Sequence, residues 1–340
     1  SDLTSQTTYK IQALVTDVAG NTSTAALTTT TNALVTVDTT APTAGTVTMT
    51  TNDPGSDGIV NTLTPSFELA VSGTSDGSYT GSGSNATGIS SVRLQVSSNG
   101  GTTWDDNATF TAPASGGTAY TVTASPALVS GTTYSVRALV TDLATNTVTS
   151  ALSTTNGRIT VDTTAPTVGT LTLDTDSGSS AFDGIVGTLT PAFTLATASD
   201  TAYTGTSAPT AAVASVVVQV STNDGGSWTT KGTSSSTSSP YAITLSGLTS
   251  QTTYKIQALV TDTAGNTSTT PLSTTNALVT VDTTAPTAGT VTMTTNDPGA
   301  DGIVNTLTPS FALAVSGTSD GTYSGSGSNA TGISSVRLQV

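Results

Sequence analysis

The sequence has 340 residues and a formal net charge of −14, and 8% of its residues are charged. Ordinary soluble proteins carry roughly 25%, so uncharged Thr, Ser, Asn and Gly must coat the surface here. The seven Lys or Arg residues form no basic patch, which argues against nucleic acid and anionic membranes as partners. The sequence contains neither His nor Cys, which removes His-dependent catalysis and disulfides and argues against zinc. No apolar run is long enough to span a bilayer, so we expect no membrane insertion in this segment.

Residues 1–37 are expected to hold the C-terminal strands of an incomplete sandwich domain. Tyr9, Ile11, Ala13 and Val15 alternate with outward-facing residues, which predicts a strand that turns these four side chains inward. A last strand follows at 33–37. The same period-two recurrence of Val, Ile, Leu and Thr continues along the chain and argues against disorder.

Residues 38–161 predict one complete domain. Its apolar residues alternate in short runs separated by turn formers, and Asn99-Gly100 is a strong hairpin signal. The predicted strands lie at 46–50, 67–71, 92–96, around Trp104, and at 120–122, 134–140 and 159–161. Seven strands with turn signals between them are typical of an immunoglobulin-like sandwich.

The motif Val-Asp-Thr-Thr-Ala-Pro-Thr divides the chain. It begins at Val37, Val161 and Val281, so its spacings of 124 and 120 residues have the size of a domain. Proline cannot donate a hydrogen bond to a β-ladder, so the preceding strand must end at the motif. Residues 162–281 are therefore predicted to form a second complete domain, and residues 282–340 the N-terminal strands of an incomplete third.

Residues 38–96 and 282–340 match at all but four positions, whereas 162–281 is more divergent from both. The true repeat is therefore a two-domain unit of 244 residues, and its near-identity indicates an array that has grown by copying. Additive length of this kind is what a stalk or fibre needs. Because the copies continue in register, we expect the chain to be a window on a longer array rather than a molecule whose ends complete one another.

Several short motifs resemble those of known β-sandwich families. Leu128-Val-Ser-Gly-Thr-Thr-Tyr134 and Leu248-Thr-Ser-Gln-Thr-Thr-Tyr254 resemble the approach to the sixth strand of fibronectin type III domains, where a Tyr hydroxyl hydrogen-bonds back to the backbone. Thr-Asp-x-Ala-Gly-Asn-Thr at 16–22 and 261–267, with the Val-Asp-Thr-Thr-Ala-Pro motif, resembles the bacterial immunoglobulin-like repeats of large secreted adhesins and biofilm-associated proteins. The turn at 141–146 departs from this pattern, with Thr145 in place of Gly. The resemblance implies an extracellular, cell-surface location.

We therefore predict an all-β fold of tandem seven-stranded immunoglobulin/fibronectin III-like β-sandwiches joined end to end. The predicted function is structural: the stalk or fibre region of an extracellular bacterial adhesin or surface filament, acting by extension and stiffness. Expected partners are neighbouring repeats, other copies in a filament, and a surface receptor that the sequence does not identify. The alternative is a carbohydrate- or protein-binding module that uses the loop at 72–88 and its equivalents. A third option, the accessory stalk of an exported hydrolase, needs a catalytic domain outside this segment.

Nothing in the sequence assembles a nucleophile with a base, so we predict that the chain is not an enzyme. Glu68 is its single Glu, and the copy of that residue is Ala312. Trp104 and Trp228 follow Gly-rich hairpins and could offer exposed platforms for sugars. We favour the alternative that they fold back over the sandwich, because the core has few other large residues.

Aspartates at the predicted joints form candidate calcium sites. The first and second strands of such a sandwich meet at its C-terminal pole, whereas the loop between its last two strands lies at the N-terminal pole. One joint would therefore gather Asp57, Asp162, Asp262 and Asn266, and the joint before it Asp38, Asp142 and Asp76; Asp183 and Asp282 take corresponding positions at the next joint. Hard oxygen ligands suit Ca²⁺, which takes six to eight of them. The alternative is that Asp simply favours turns and strand ends.

Overall fold

The computed structural model describes residues 3–28, 30, 33–77, 80–81, 88–113, 117–154, 157–174, 176–177, 180, 183–274, 277–314, 319–326 and 332–339. Their regular structure is β-strand, so the predicted all-β fold is confirmed. No helix within these residues is both long and apolar enough to cross a membrane.

The strands follow the sequence repeats. In residues 1–37 they are β1 (Thr7–Lys10), β2 (Gln12–Thr16), β3 (Thr22–Ala26) and β4 (Leu34–Val37). In 38–161 they are β5 (Val47–Met49), β6 (Ile59–Val60), β7 (Ser66–Ala70), β8 (Thr80–Gly81), β9 (Ile89–Ser97), β10 (Asp105–Thr109), β11 (Ala119–Thr123), β12 (Thr132–Asp142), β13 (Thr147–Ala151) and β14 (Arg158–Val161).

The second repeat, 162–281, has a similar set. Its strands are β15 (Thr167–Val168), β16 (Leu171–Leu173), β17 (Ile185–Val186), β18 (Ala192–Leu195), β19 (Ala198–Ser199), β20 (Val213–Ser221), β21 (Thr229–Thr233), β22 (Tyr241–Thr244), β23 (Thr252–Asp262), β24 (Thr267–Pro271) and β25 (Leu278–Val281). The described part of 282–340 contains β26 (Val291–Met293), β27 (Phe311–Leu313) and β28 (Ser324–Gly325).

The chain divides into two compact units. Unit 1 comprises Ser1–Thr164, Thr201–Ala211 and Thr263–Asn266, and unit 2 comprises Ala165–Asp200, Ala212–Asp262 and Thr267–Val340. Two short segments of the second sequence repeat therefore belong to unit 1. The domain boundaries predicted at 37/38, 161/162 and 281/282 stay predictions of the repeat pattern.

In unit 1 two sheets enclose one apolar core. One sheet has the strand order β11–β7–β5, and the other has the order β10–β9–β12–β14–β6, with β13 also paired to β12. Phe67 and Leu69 from the first sheet pack in one cluster with Leu94 and Ala138 from the second, and all four are fully buried. If β13 and β14 count as one strand and the two-residue β6 is set aside, the described ladders hold the seven main strands of a fibronectin III- or immunoglobulin-like sandwich.

The core follows from the period-two pattern of the sequence. Successive side chains of a strand point to opposite faces of the sheet. Along β12, Tyr134, Val136, Ala138 and Val140 are buried, whereas the residues between them are half-buried. One face of this strand therefore meets the core, as the alternation predicted.

The last strand of this sandwich pairs with one sheet and forms a bridge to the other. β13 and β14 both pair with β12. Between them, Leu152 forms a parallel bridge with Val47 of β5, and the Ser153 N–H donates to the Val47 carbonyl at 2.9 Å. The chain thus links the two sheets along one edge, an arrangement that the predicted strand at 159–161 did not include.

The predicted tyrosine corner is present in the sandwich of unit 1. The Val129 N–H donates to the Tyr134 hydroxyl at 3.1 Å, and Tyr134 is 8% exposed. The same bond recurs from Thr249 to Tyr254 at 3.0 Å and from Thr4 to Tyr9 at 2.8 Å. A hydroxyl that returns to the backbone upstream of this strand is a hallmark of the sandwich family that the sequence resembles.

Replacing Tyr134 with Phe should lower the free energy of unfolding of unit 1 by about 1–2 kcal/mol, because the Val129 N–H loses its acceptor in a largely buried place. Denaturant unfolding measures the loss. Tyr120→Phe is the matched control, since among the described residues no hydrogen bond to the Tyr120 hydroxyl is found. Equal losses for the two variants would contradict a stabilising role for the corner.

Unit 2 holds a second sandwich of the same kind. One sheet has the order β16–β18–β22, and the other has the order β17–β25–β23–β20–β21, with β24 and β28 paired to β23. Phe193 and Leu195 are fully buried in one cluster with Val218 and Ala258. Leu272 makes a parallel bridge to Leu171, so the bridge from the last strand to the other sheet is repeated.

The two end segments of the chain differ from these sandwiches in burial. Val15, predicted to face inward, is 58% exposed, whereas the corresponding Val260 of the second repeat is fully buried. β2 pairs with β3, but in the described part of the chain no second sheet covers this hairpin. The predicted strand around Val15 is therefore confirmed. The predicted burial of the Val15 side chain is wrong, because burial requires a second sheet opposite the strand.

Candidate metal centre

Three aspartates of unit 1 bring their carboxylates together. Asp38, Asp76 and Asp142 each offer one carboxylate oxygen, and these oxygens all lie within 4.8 Å of one another. Asp142 is 1% exposed and Asp76 is 9% exposed, while Asp38 is half-buried. Like charges at this separation repel one another strongly once they are withdrawn from water. The cluster can therefore hold a cation, and an oxygen donor set of this kind suits Ca²⁺.

Asp142 is held by the turn that follows β12. Its carboxylate accepts hydrogen bonds from the Asn146 N–H and from the Asn146 side-chain amide, both at 2.9 Å. That amide lies 3.3 Å from the Asp38 carbonyl. The Asp38 carboxylate in turn accepts the Thr40 N–H at 2.9 Å. Turn and linker chemistry thus place two carboxylates at one end of the sandwich.

The turn at 141–146, which has Thr145 in place of Gly, has the same backbone conformation as the equivalent turns that contain Gly20 and Gly265. Thr145 has a φ of 72°, and the Gly residues at the equivalent places, Gly20 and Gly265, have φ values of 92° and 90°. A β-branched residue is strained in this left-handed region. The substitution therefore does not change the form of the turn, and the Asp142 to Asn146 hydrogen bonds help to hold it.

The same three sequence positions recur one repeat later. In unit 1, the Tyr203 hydroxyl donates to the Asp162 carboxylate at 3.1 Å, and the Asn266 side-chain amide donates to the Asp162 carbonyl at 3.0 Å. In unit 2, Asp200 and Asp262 each offer a carboxylate oxygen, and these two lie within 4.8 Å of each other. Asp162 and Asp262 are each 1% exposed. Burial and spacing of the acids are thus reproduced in a divergent copy.

The third copy shows the start of the same arrangement in unit 2. The Tyr323 hydroxyl donates a short hydrogen bond to the Asp282 carboxylate and lies 3.3 Å from an Asp320 carboxylate oxygen. Asp200, Asp320 and the two tyrosines were not among the residues predicted from the sequence. The signal that could have found them is the recurrence of Asp-x-x-Tyr-(Thr/Ser)-Gly at 76–81, 200–205 and 320–325.

Asp57 and Asp183 lie in another setting. The Asp57 carboxylate accepts the Ile59 N–H at 3.0 Å, and the Asp183 carboxylate accepts the Ile185 N–H at the same distance. Asp57 also lines a cavity of about 150 Å³ in unit 1 together with Arg158. Burial, and then the nearby charge of Asp53, raises the pKa of Asp57. Neither Asp57 nor Asp183 belongs to a group of converging acids among the described residues.

Trp104 packs against its own sandwich. The guanidinium carbon of Arg137 lies 3.9 Å from the centroid of the Trp104 ring. Arg137 is fixed by a hydrogen bond from its Nε to the Gln95 side-chain oxygen at 2.8 Å, and burial lowers the pKa of Arg137. A cation over the ring covers one face of the indole. In the other proposed binding region, the loop at 72–88, residues 78–79 and 82–87 lie outside the described residues.

Comparisons with known proteins give structural similarities alone. No protein-family model matches the sequence, and no curated protein matches it. The fibronectin(III)-like modules of Clostridium thermocellum CbhA are 16% identical, with a TM-score of 0.35 over 69% of this chain and 94% of theirs. A tetra-tandem repeat from the extending region of a large adhesion protein is 18% identical, with a TM-score of 0.25 over 87% of this chain and 71% of that one. Domains of titin are 10% identical, with a TM-score of 0.31 over 76% of this chain and 70% of theirs.

Proposed function

We propose that this chain is a structural repeat region, the stalk or fibre of an extracellular bacterial adhesin or surface filament. The observation that carries the proposal is the repetition itself. The Asp-containing linker, the turn after the long sixth strand and the tyrosine corner recur in divergent copies. A chain built from copies of one module gains length with each copy, and each module contacts chiefly its neighbours.

The surface chemistry supports this role. With 8% charged residues and a net charge of −14, the coat is largely hydroxyl and amide, weakly acidic and poor in basic groups. Such a surface offers little attraction to anionic polymers or membranes. A stalk needs a surface of this kind, because its task is to hold another domain at a distance and not to bind along its own length.

Small-angle X-ray scattering of the 340-residue chain tests the proposal. A compact protein of this length has a radius of gyration of about 20 Å. Sandwich modules that each add roughly 30–40 Å of length along one line should give about 30 Å instead. A value near that of the compact protein would contradict extension, whereas a scattering profile that changes on adding a glycan or a protein would indicate a binding module.

We also propose that the joint carboxylates bind Ca²⁺. Asp38, Asp76 and Asp142 converge in unit 1, and the same sequence positions recur as Asp162, Asp200 and Asp262. Calcium would be coordinated by these oxygens and would offset their mutual repulsion. Because the acids come from the linker, from the segment before β8 and from the turn after β12, a bound cation would fix these three pieces relative to one another.

A further inference from the structure

A short segment of each later repeat adds a strand to the sheet of the preceding repeat. In unit 1, β8 pairs in parallel with β1, through Thr80 with Thr7 and Gly81 with Thr8. In unit 2, β28 pairs in parallel with β23, through Ser324 with Thr252. We call the added segments at 76–81, 200–205 and 320–325 the clasps, and the receiving residues at 6–8, 131–133 and 251–253 the acceptor edges.

The clasp at 200–205, whose residues from Thr201 onward belong to unit 1, repeats this geometry there. The Thr133 N–H donates to the Thr204 carbonyl at 2.8 Å, and the Thr204 N–H donates to the Gly131 carbonyl at 2.7 Å. The Thr204 hydroxyl reaches the same Gly131 carbonyl at 3.0 Å. Main-chain pairing of an extended segment with a free sheet edge is a recognised mode of peptide recognition. The acceptor edge thus binds the clasp largely through its backbone.

Glycine closes each of the described clasps because the two backbones approach closely. Gly205 has a φ of 105°, and a Cβ there would lie 2.7 Å from the Thr133 carbonyl oxygen. Gly325 has a φ of 107°, and a Cβ there would overlap the Thr253 carbonyl. Both the left-handed conformation and the approach therefore require the absence of a side chain.

Beside this backbone pairing, one position of the acceptor edge and one position of the clasp differ in residue size between the joints. The Gln6 amide occupies the space that a Cβ on Gly77 would need, and the Gln251 amide occupies the same space at Gly321. The third acceptor edge has Gly131 in place of Gln, and its clasp has Thr201 in place of Gly. A Cβ at Gly131 would meet no atom within 4 Å. A Gln on the acceptor edge thus contacts a Gly of the clasp at two joints, whereas the edge with Gly131 is followed by a clasp with Thr201.

We propose that this pairing is a lock that specifies which kind of repeat follows which. A clasp with Thr at this position would displace the Gln amide on the acceptor edge from its place, so we expect a repeat of the 162–281 kind to be disfavoured directly after another of its kind. A clasp with Gly on an edge with Gly would fit without collision but leave the space open. Specificity then comes from overlap in the wrong pair as well as from contacts in the right one.

The order of the repeats along the chain agrees with the lock. Residues 3–17 and 248–262 are identical, so the edges carrying Gln6 and Gln251 are of one kind. Each is followed by a clasp from the near-identical copies that begin at 38 and 282. The edge carrying Gly131 belongs to one of those copies and is followed by the divergent repeat. The inference rests on contacts within the chain and holds whether or not the chain is a stalk.

Hydrogen–deuterium exchange by NMR of the full 340-residue chain tests the lock. Gly131→Gln places the long side chain opposite Thr201, and we expect the protection of the Thr133 and Thr204 amides to fall at least about tenfold. Gly131→Ala is the matched control. Ala has the same backbone strain as Gln at a φ of 74°, but its side chain is too short to reach Thr201. The amides of Val136 and Ala138, further along β12, should keep their protection and so report that the sandwich remains folded.

The second variant completes a double-mutant cycle. Thr201→Gly in the Gly131→Gln background should restore protection to within about threefold of Thr201→Gly alone, because Gln opposite Gly is the pair found at the other two joints. Equal protection in the Gln and Ala variants would overturn the proposal. A double variant no better protected than Gly131→Gln would overturn it as well.

Discussion

Replacing Phe67 with Ala is expected to lower the free energy of unfolding of unit 1 by about 3–5 kcal/mol. Phe67 is fully buried between the two sheets of its sandwich. Truncation removes the burial of the ring and leaves a cavity that neighbouring strands can close only in part. Denaturant unfolding in a Trp228→Phe background, followed by the fluorescence of Trp104 in the same unit, measures the loss.

The chain contains its own control for this variant. Phe311 occupies the same position in the near-identical copy that begins at 282, and it is 43% exposed. Phe311→Ala should change stability by no more than about 0.5 kcal/mol, as is usual for surface positions. A similar loss from both variants would show that sequence position, and not burial between two sheets, sets the cost.

Removing calcium is expected to lower the melting temperature of the chain. If free Ca²⁺ is about a hundred times the Kd, binding to the folded state contributes about 2.7 kcal/mol. For a unit of 150–250 residues, that corresponds to a shift of roughly 5–10 °C. Scanning calorimetry with millimolar calcium, compared with an excess of chelator, measures the shift.

Substitutions then locate the site. Asp142→Asn keeps an acceptor for the Asn146 N–H and removes one charge, so the part of the shift that depends on calcium should shrink. Asp57→Asn is the matched control, because Asp57 lies outside the converging acids, and its calcium-dependent shift should stay. Identical melts with calcium and chelator would leave these aspartates as ordinary turn formers. If Asp57→Asn alone reduced the calcium-dependent shift, the cation would bind near Asp57 and not at the converging acids.

Local sequence patterns predicted much of the fold. The alternation along 134–140 identified the buried face of β12, and the sequence before Tyr134 identified the corner at which its hydroxyl bonds to Val129. Both features depend on residues a few positions apart, so a single stretch of sequence contains the needed information. Asp38 and Asp142 were likewise assigned to one end of the sandwich from strand order alone, and the structure places their carboxylates together.

The clasps could not be predicted from the sequence, for a physical reason. Each is about two paired residues long in a loop rich in Gly and Ser, too short to show a period of two. The partner edge lies about seventy residues earlier in the chain, as for Thr7 and Thr80, and a sequence pattern does not show which sheet edge remains unpaired.

The sequence by itself therefore determined the all-β architecture, the period of the repeat and the kinds of residue at each joint. The tertiary structure alone decided where Asp57 lies. Asp76 joins Asp38 and Asp142, as expected from the sequence, whereas Asp57 lies beside Arg158 and outside the converging acids. The direction of a loop depends on the backbone donors and acceptors that it finds at its far end. Asp76 precedes a segment that pairs with a free strand edge, whereas Asp57 is held by a hydrogen bond from the Ile59 N–H within its own turn.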